Sequence, residues 1–248
     1  MTNPPFYSSE TEMLGSAKAK KRPPNSACTG APVEMIYPGG EVAFVNRLVA
    51  ESMLPEMRKR VQWCTSMLGK LVSVGMIVET LKEKECHNWA VTEFVQGQKT
   101  RRWAVGWSWS GKRPRVEVAR GIPGLERRFL PFPSEFSFEV DGLGSIDRVG
   151  EKIDQEIKGL DLRWQWKASI AQGLGMTWRD VWSRKARRKK AVEEELEEEE
   201  EPSLVFKVSL AVEGARPGIR VAVRWLQGTD SVLFESLCGW LKRKTENR

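Results

Sequence analysis

The sequence predicts an α/β fold, the second half of a doubly wound sheet, followed by a smaller α+β domain. Between residues 41 and 110 the hydrophobic pattern gives the order helix, strand, helix, strand, tight turn, strand. A basic stretch rich in Pro and Gly covers residues 111–134, and regular apolar alternation resumes at residue 135. We therefore predict a first domain over residues 1–110, a linker over 111–134 and a second domain over 135–248.

The elements of the first domain follow from periodicity and from chain-breaking residues. Residues 7–40 are rich in Gly, Pro, Ser and Lys and are predicted to be loop. Trp103, Val105, Trp107 and Trp109 alternate onto one face of a strand, which indicates core packing rather than base stacking. The predicted elements are a helix over 41–60 that ends or kinks at Pro55, a strand over 61–68, a helix over 74–85 and strands over 88–94 and 103–110.

The second domain is predicted from alternation and from helix-capping residues. Ser145 and Thr177 are the expected N-caps of two helices, because their hydroxyls can accept from backbone N–H groups of the first turn. The glutamate run 193–201 is predicted to be a solvated insert. The predicted strands cover 135–141, 162–166, 204–212 and 218–226, and the helices cover 145–157, 177–190 and 231–244.

The charge of the chain indicates a polyanionic partner. The chain has 40 Lys and Arg against 33 Asp and Glu, and eight of the acids lie within 193–201. The remainder carries 40 basic against 25 acidic residues, or +15, which suits RNA, DNA or an acidic membrane surface. One histidine, His87, and four scattered cysteines give little support for a catalytic triad, a zinc site or a disulfide framework. Because no metal-ligand pattern is present, we expect no metal. No apolar run has transmembrane length, so we also expect no membrane partner.

The tetrapeptide Asn3-Pro4-Pro5-Phe6 has the residue types that methylation of an exocyclic amine requires. An amide oxygen and the carbonyl of the first proline can accept hydrogen bonds from the amine and orient its lone pair. The prolines fix φ near about −65°, which preorganises these acceptors. Phe6 offers a flat face for a base that has left its stack. A polar, proline-rich turn explains the tetrapeptide equally well, so the motif alone decides nothing.

Several further blocks carry a resemblance to one family. They occur in order along residues 2–110 and are Asn3–Phe6, Arg22–Ser26, Thr29-Gly30, Glu34-Met35, Gly39–Val45, Cys64–Lys70, Thr92–Gly97 and Arg102–Ala104. Together they resemble the U6 small nuclear RNA adenine-N6 methyltransferases, relatives of bacterial enzymes that methylate adenine in large-subunit ribosomal RNA. Residues 135–244 more loosely resemble the vertebrate-conserved region of animal members, closest at Leu204–Val208 and Val223–Leu226.

The resemblance implies a Rossmann-like class I methyltransferase fold, an S-adenosylmethionine donor and a flipped adenine in structured RNA, with U6 small nuclear RNA as the suspected target. Asn3 and Pro4 would accept from the adenine amine, Pro5 would stiffen the loop, Phe6 would stack on the base, and Asn3 would also lie near the donor. The implied RNA contacts are Lys18, Lys20, Lys21 and Arg22, then Gly69 and Lys70, then Gln96, Lys99, Arg101 and Arg102. A nuclear location is implied, with the cytoplasm as a second one.

A second RNA-contacting face is predicted at the end of the 177–190 helix. Six basic residues bunch there, among them Arg187, Arg188, Lys189 and Lys190. Basic residues also favour helix C-termini through the helix dipole, so a purely structural role stays open.

Two expectations limit what the chain does by itself. The family's donor-binding half, with a Gly-rich turn between a strand and a helix, is not recognisable in the sequence. We therefore expect most of the donor site to lie outside the chain and the chain alone to be inactive. The alternatives are a non-catalytic RNA-binding remnant, or a methyltransferase that acts on glutamine or on DNA adenine.

Overall fold

The computed structural model describes residues 1–18, 32–96, 100–140, 145–183, 186, 201–212 and 218–246. The chain divides into two compact units, of which the first holds residues 1–110 and 117–131 and the second holds 111–116 and 132–248. Residues of the predicted 111–134 linker are thus shared between both units. None of the helices in the described ranges is long and apolar enough to cross a membrane.

The first unit is a four-stranded sheet covered by helices. Its strands lie in the order β1-β3-β2-β4, with β3 antiparallel to both β1 and β2, and β4 parallel to β2. The elements are α1 (Glu10–Lys18), α2 (Pro32–Met35), α3 (Gly40–Ser52), α4 (Pro55–Arg60), β1 (Cys64–Leu68), α5 (Leu71–Glu83), β2 (Trp89–Gln96), β3 (Thr100–Trp107), α6 (Val116–Ala119) and β4 (Arg120–Gly121). Because β3 is antiparallel to both neighbours, β1 and β2 run the same way and α5 is their crossover. This confirms the predicted half of a doubly wound sheet with an antiparallel hairpin.

The tryptophan stripe of β3 faces the core of this unit, as predicted. Val105 and Trp107 are buried, and Trp103 and Trp109 pack against the same cluster. Trp107 and Trp109 each donate an indole N–H to the hydroxyl of Ser52, at 2.9 Å. This buried hydroxyl in turn donates to the Val49 carbonyl, so α3 is tied to the sheet by directional bonds as well as by apolar contact.

Residues 7–40 are not all loop, and this prediction was wrong in part. Helix α1 begins after Ser9, whose hydroxyl accepts from the Glu12 backbone N–H at 3.2 Å. The carboxylate of Glu12 reaches back to the Ser8 N–H at 2.8 Å. The first bond satisfies a donor of the first turn and the second ties the preceding residue to it, which allows a short helix to form without strong apolar periodicity.

The second unit is a five-stranded antiparallel sheet with two helices on one face. The strand order is β5-β9-β8-β7-β6. Its elements are β5 (Glu135–Val140), α7 (Ile146–Lys158), β6 (Arg163–Lys167), β7 (Gln172–Thr177), β8 (Leu204–Val212), β9 (Ile219–Gln227) and α8 (Ser231–Thr245). Ser145 caps α7 by accepting from the Arg148 N–H, as predicted, and Asp230 caps α8. The helices bury Ile153, Leu237 and Leu241 against the alternating apolar residues of the strands.

Strand β7 was missed by the sequence analysis, and the capping role of Thr177 was wrong. Thr177 is the last residue of β7, and its hydroxyl donates to the carbonyl of Arg179 at 2.6 Å. Only glycine fits at positions 173 and 175, because aromatic rings occupy the space that a side chain would need. A Cβ on Gly175 would lie 2.2 Å from the ring of the buried Phe206. A strand whose inward positions are glycine has no apolar alternation of its own and cannot be recognised from that signal.

Candidate functional site

The segment Asn3–Phe6 starts beside β1 and continues past the end of that strand. Thr2 pairs in parallel with Ser66, with the Thr2 N–H 2.9 Å from the Thr65 carbonyl and the Met67 N–H 3.0 Å from the Thr2 carbonyl. The parallel pairing directs the following residues toward the carboxyl end of β1. Ligands of open α/β sheets bind at that edge.

Within the tetrapeptide, the prolines are anchored and the side chains proposed for chemistry are accessible. Pro4 and Pro5 are buried, Phe6 is half-buried and Asn3 is exposed. Buried prolines with fixed φ have little freedom to move, so the position of Asn3 is restrained by its neighbours. The Asn3 amide is therefore exposed to solvent, and the backbone that carries it is rigid.

The structure brings residues of three predicted contact regions together at this edge. Gly69 and Lys70 follow β1 directly, and Arg101 and Arg102 at the start of β3 lie at the same edge because Leu68 pairs with Trp103. The Phe6 ring packs on Gly69 so closely that a Cβ there would lie 3.0 Å from Phe6 Cδ1. The guanidinium carbon of Arg102 lies 5.5 Å from the Phe6 ring centroid. Phe6 therefore packs on Gly69, which we call the glycine seat, and the Arg102 cation lies over its ring.

Glu41 holds the glycine seat in place. Its side chain is buried, and the carboxylate accepts from the Gly69 N–H at 2.6 Å and from the Lys70 N–H at 3.2 Å. Gly39 and Gly40 have φ of +83° and +67°, values that glycine adopts readily, and this turn leads into α3. The turn therefore places Glu41 in the first turn of α3, where its carboxylate reaches the loop after β1.

Lys70 forms an ion pair with the start of α1. Its ammonium lies 2.7 Å from Glu12 Oε1, and the other oxygen of Glu12 accepts from the Ser8 N–H at 2.8 Å and from the Ser8 hydroxyl at 2.6 Å. The hydrogen bond from Lys70, followed by those from Ser8, lowers the pKa of Glu12 from 4.5 to about 2. The Glu12 carboxylate likewise raises the pKa of Lys70. A phosphate at Lys70 would have to replace or join this carboxylate.

Acidification is expected to release this link. The folded-state pKa of Glu12 lies below the ordinary value, so its stabilising contribution is complete above pH 4.5 and is lost as pH falls toward 2. Carbon NMR of the Glu12 carboxyl should give a midpoint near 2 in the native chain. In Lys70→Ala the midpoint should move toward 4.5, whereas Lys59→Ala, which changes an exposed cation on α4, should leave it in place. A native midpoint near 4.5 would contradict the ion pair.

The remaining predicted RNA contacts divide into two groups. Arg101 pairs with Glu93, which also accepts from the Trp103 indole at 3.1 Å. Lys20, Lys21, Arg22, Lys99, Arg187, Arg188, Lys189 and Lys190 lie outside the described residues, as do the side chains of Lys18 and Gln96. In the described part of the chain, no three acidic, histidine or cysteine side chains cluster as a metal site would require.

Sequence reasoning missed the two carboxylates of this site. Ser9 followed by Glu12 has the spacing of a capping box and could have indicated the start of α1. Glu41 gave no comparable signal, because its partners are backbone N–H groups 28 and 29 residues away. Only the folded chain shows that contact.

Comparison with known proteins shows what the residues of this site are similar to. Residues 1–111 match the model of a family described as RNA methyltransferase. The U6 small nuclear RNA (adenine-(43)-N(6))-methyltransferase of Schizosaccharomyces pombe is 31% identical over 98% of this chain and 59% of its own length. The Drosophila melanogaster protein of the same name is 44% identical over 44% of this chain and 36% of its own.

A solved structure also matches. The human Mettl16 catalytic domain, in complex with the MAT2A 3'UTR hairpin 1, is 37% identical over 43% of this chain and 37% of its own, with a TM-score of 0.39. The chain thus spans about three fifths of the yeast relative and smaller shares of the others. The resemblance of the motifs is thus confirmed: residues 1–111 match the RNA methyltransferase family model, and the relatives that match are adenine-N6 methyltransferases by name.

Proposed function

We propose that the chain carries the acceptor site of an S-adenosylmethionine-dependent enzyme that methylates the N6 amine of an adenine in structured RNA. U6 small nuclear RNA is the proposed substrate, since the S. pombe and Drosophila relatives are named for it. A nuclear location follows from that substrate. The observation that carries the proposal is the geometry of Asn3–Phe6, with buried prolines, an exposed amide and a seated aromatic ring.

The residues of the site have distinct roles in this proposal. The Asn3 amide oxygen and the Pro4 carbonyl accept hydrogen bonds from the adenine amine, which draws the nitrogen lone pair out of the ring system. This polarisation would make the amine nitrogen a better nucleophile toward an electrophilic methyl group. Phe6 stacks on the extruded base, and its seat on Gly69 fixes the plane of the stack. Preorganised acceptors of this kind need no rearrangement as charge develops on the amine.

The residues present suit one end of a donor site. When bound, S-adenosylmethionine supplies an electrophilic methyl group on a sulfonium. Asn3 is exposed at the carboxyl edge of the sheet, where its amide can face both the base and the donor. The same edge carries Arg102, Arg101 and Lys70, whose charges suit the RNA phosphates around an extruded adenine.

A binding experiment with the full chain tests whether an RNA base is the acceptor. A U6 fragment that contains the target adenine is compared with the same RNA in which that nucleotide is abasic. Phe6→Ala should lose about 10- to 100-fold in affinity for the adenine RNA, as expected for the loss of one base-stacking contact. Affinity for the abasic RNA should be unchanged.

Two controls sharpen that result. Phe6→Trp keeps a stacking surface and should retain the preference for the adenine RNA. A DNA strand of the same sequence should bind more weakly than the RNA. Equal losses of affinity for the adenine RNA and the abasic RNA in Phe6→Ala would show that Phe6 only supports the fold. Tighter binding to the DNA strand than to the RNA would indicate DNA, not RNA, as the acceptor.

A further inference from the structure

Phe94 of β2 is an exposed aromatic residue near the sheet edge that carries the Asn3–Phe6 segment. It is 41% exposed, and it belongs neither to the apolar core of the first unit nor to any aromatic or cation–π contact among the described residues. A single exposed apolar residue is common on protein surfaces. The position of Phe94 relative to the candidate site is what gives this ring a possible role.

Strand register places Phe94 in one row with the two residues that contact Phe6. Gly69 and Arg102 are the next positions after the last pair of β1 and β3, and Arg102 pairs in turn with Phe94. Paired residues of neighbouring strands point to the same face of a sheet. The Phe6 ring packs where a Cβ of Gly69 would point, so Phe6 and Phe94 lie on the same face.

Along this row a ring, a cation and a second ring follow one another. Neighbouring strands are about 4.8 Å apart, so Phe94 on β2 is about 10 Å from the β1 position on which Phe6 packs. Arg102 lies on the strand between them, with its guanidinium carbon 5.5 Å from the Phe6 ring centroid. A base that stacks on Phe6 is therefore separated from Phe94 by a charged side chain, and Phe94 is placed for a different base.

The Arg102 charge suits the phosphate between two such bases. Its guanidinium donates to the Arg101 carbonyl at 3.1 Å. Arg101 itself pairs with Glu93, whereas no ion pair in the described part of the chain includes Arg102. Unstacked RNA bases bind to aromatic side chains. Enzymes that extrude a base also read its context through contacts with the flanking nucleotides.

The sheet beside Phe94 has small side chains. The next row on the same face consists of Met67, Ala104 and Thr92. Ala104 is half-buried and Thr92 is exposed, and both are short. A planar base can therefore lie against the Phe94 ring with only small groups beneath it.

We propose that Phe94 stacks on a nucleotide next to the target adenine, and that Arg102 holds the phosphate between the two nucleotides. This inference rests on the proposed function, because Phe6 must hold the adenine for Phe94 to meet its neighbour. Stacking strength differs among bases, so Phe94 sets a preference at the neighbouring position without hydrogen-bond readout.

The test measures the affinity of the full chain for four U6 RNA fragments. One is unmodified, one is abasic at the target adenine, and the other two are abasic at its 5′ or 3′ neighbour. Phe94→Ala removes the ring, Phe94→Leu keeps apolar bulk without a flat face, and Phe94→Trp keeps a stacking surface. Val95→Ala is the matched control, because Val95 is the next residue of the strand, is 54% exposed and points to the opposite face.

Phe94→Ala and Phe94→Leu should bind the unmodified RNA at least about fivefold more weakly than the native chain does, the effect of losing one base-stacking contact. The loss should persist on the RNA that is abasic at the target, and it should vanish on the RNA that lacks one of the two neighbouring bases. Phe94→Trp and Val95→Ala should bind all four RNAs as the native chain does.

Three outcomes would overturn the inference: native affinity of Phe94→Ala for every RNA, a loss of the same size on all four RNAs, or an equal loss in Val95→Ala. A melting temperature of Phe94→Ala below that of Val95→Ala would assign the ring to the fold and would overturn it as well. Equal affinity of the native chain for the unmodified and the target-abasic RNA would instead contradict the proposed function.

Discussion

Replacing Asn3 with alanine is expected to lower kcat for RNA methylation by about 10²- to 10³-fold, the effect of losing one preorganised hydrogen-bonding group that acts on developing charge. Asn3 is exposed and sits on two buried prolines, so its removal should not disturb the fold. Methyl transfer from labelled S-adenosylmethionine to U6 RNA is the measurement, with N6-methyladenosine identified by mass spectrometry. Because the chain spans 59% of the S. pombe relative, the assay uses that protein with this chain in place of its matching segment.

The matched control for Asn3 is Asn3→Asp. Aspartate keeps an oxygen acceptor at the same distance from the backbone, and it should retain much more activity than alanine. The affinity for RNA should change little in either variant, because phosphate contacts dominate binding. Equal activity of the native and alanine proteins would exclude Asn3 as a hydrogen-bond acceptor that activates the amine.

Replacing Glu41 with alanine is the second change with a large expected effect. The part-buried Gly69 N–H would lose its acceptor, which should lower the free energy of unfolding of the first unit by roughly 1–3 kcal/mol. The loop after β1 would relax and the Phe6 ring on it would shift, and a displacement of about 1 Å at a reacting group can cost about 10²-fold in kcat. Denaturant unfolding and the methyl transfer assay measure the two effects separately.

Glu41→Gln and Glu51→Ala separate positioning from charge. Glutamine keeps one oxygen acceptor for Gly69 and should fall between the native protein and alanine in both measurements. Glu51 lies on the same helix but is exposed and pairs with Arg47. Its replacement should change stability by less than about 0.5 kcal/mol and leave kcat unchanged. A Glu41→Ala protein with native stability and kcat would exclude the positioning role.

The elements with strong local signals were predictable from the sequence. The stripe from Trp103 to Trp109, the strand 204–212 and the Ser145 cap all rest on periodicity or capping chemistry within a few residues. The failures came where the deciding contact is distant. Strand β7 can pair between β6 and β8 because its glycines leave room for the rings of Trp164 and Phe206 on those strands. Thr177 has the chemistry of a helix cap, yet pairing with Leu204 places it at the end of a strand.

For the site, the sequence by itself determined the chemical groups. Asn3-Pro-Pro-Phe6, the glycine turn before Glu41 and the basic loops are residue types whose properties hold in any fold. The tertiary structure alone decided which groups meet. Parallel pairing at Thr2 directs Asn3–Phe6 toward the same sheet edge as Gly69 and Arg102, and Glu41 closes the seat from 28 residues away. These contacts depend on strand register and crossover direction, which are set by burying two faces of a sheet at once, and no local stretch of sequence contains that information.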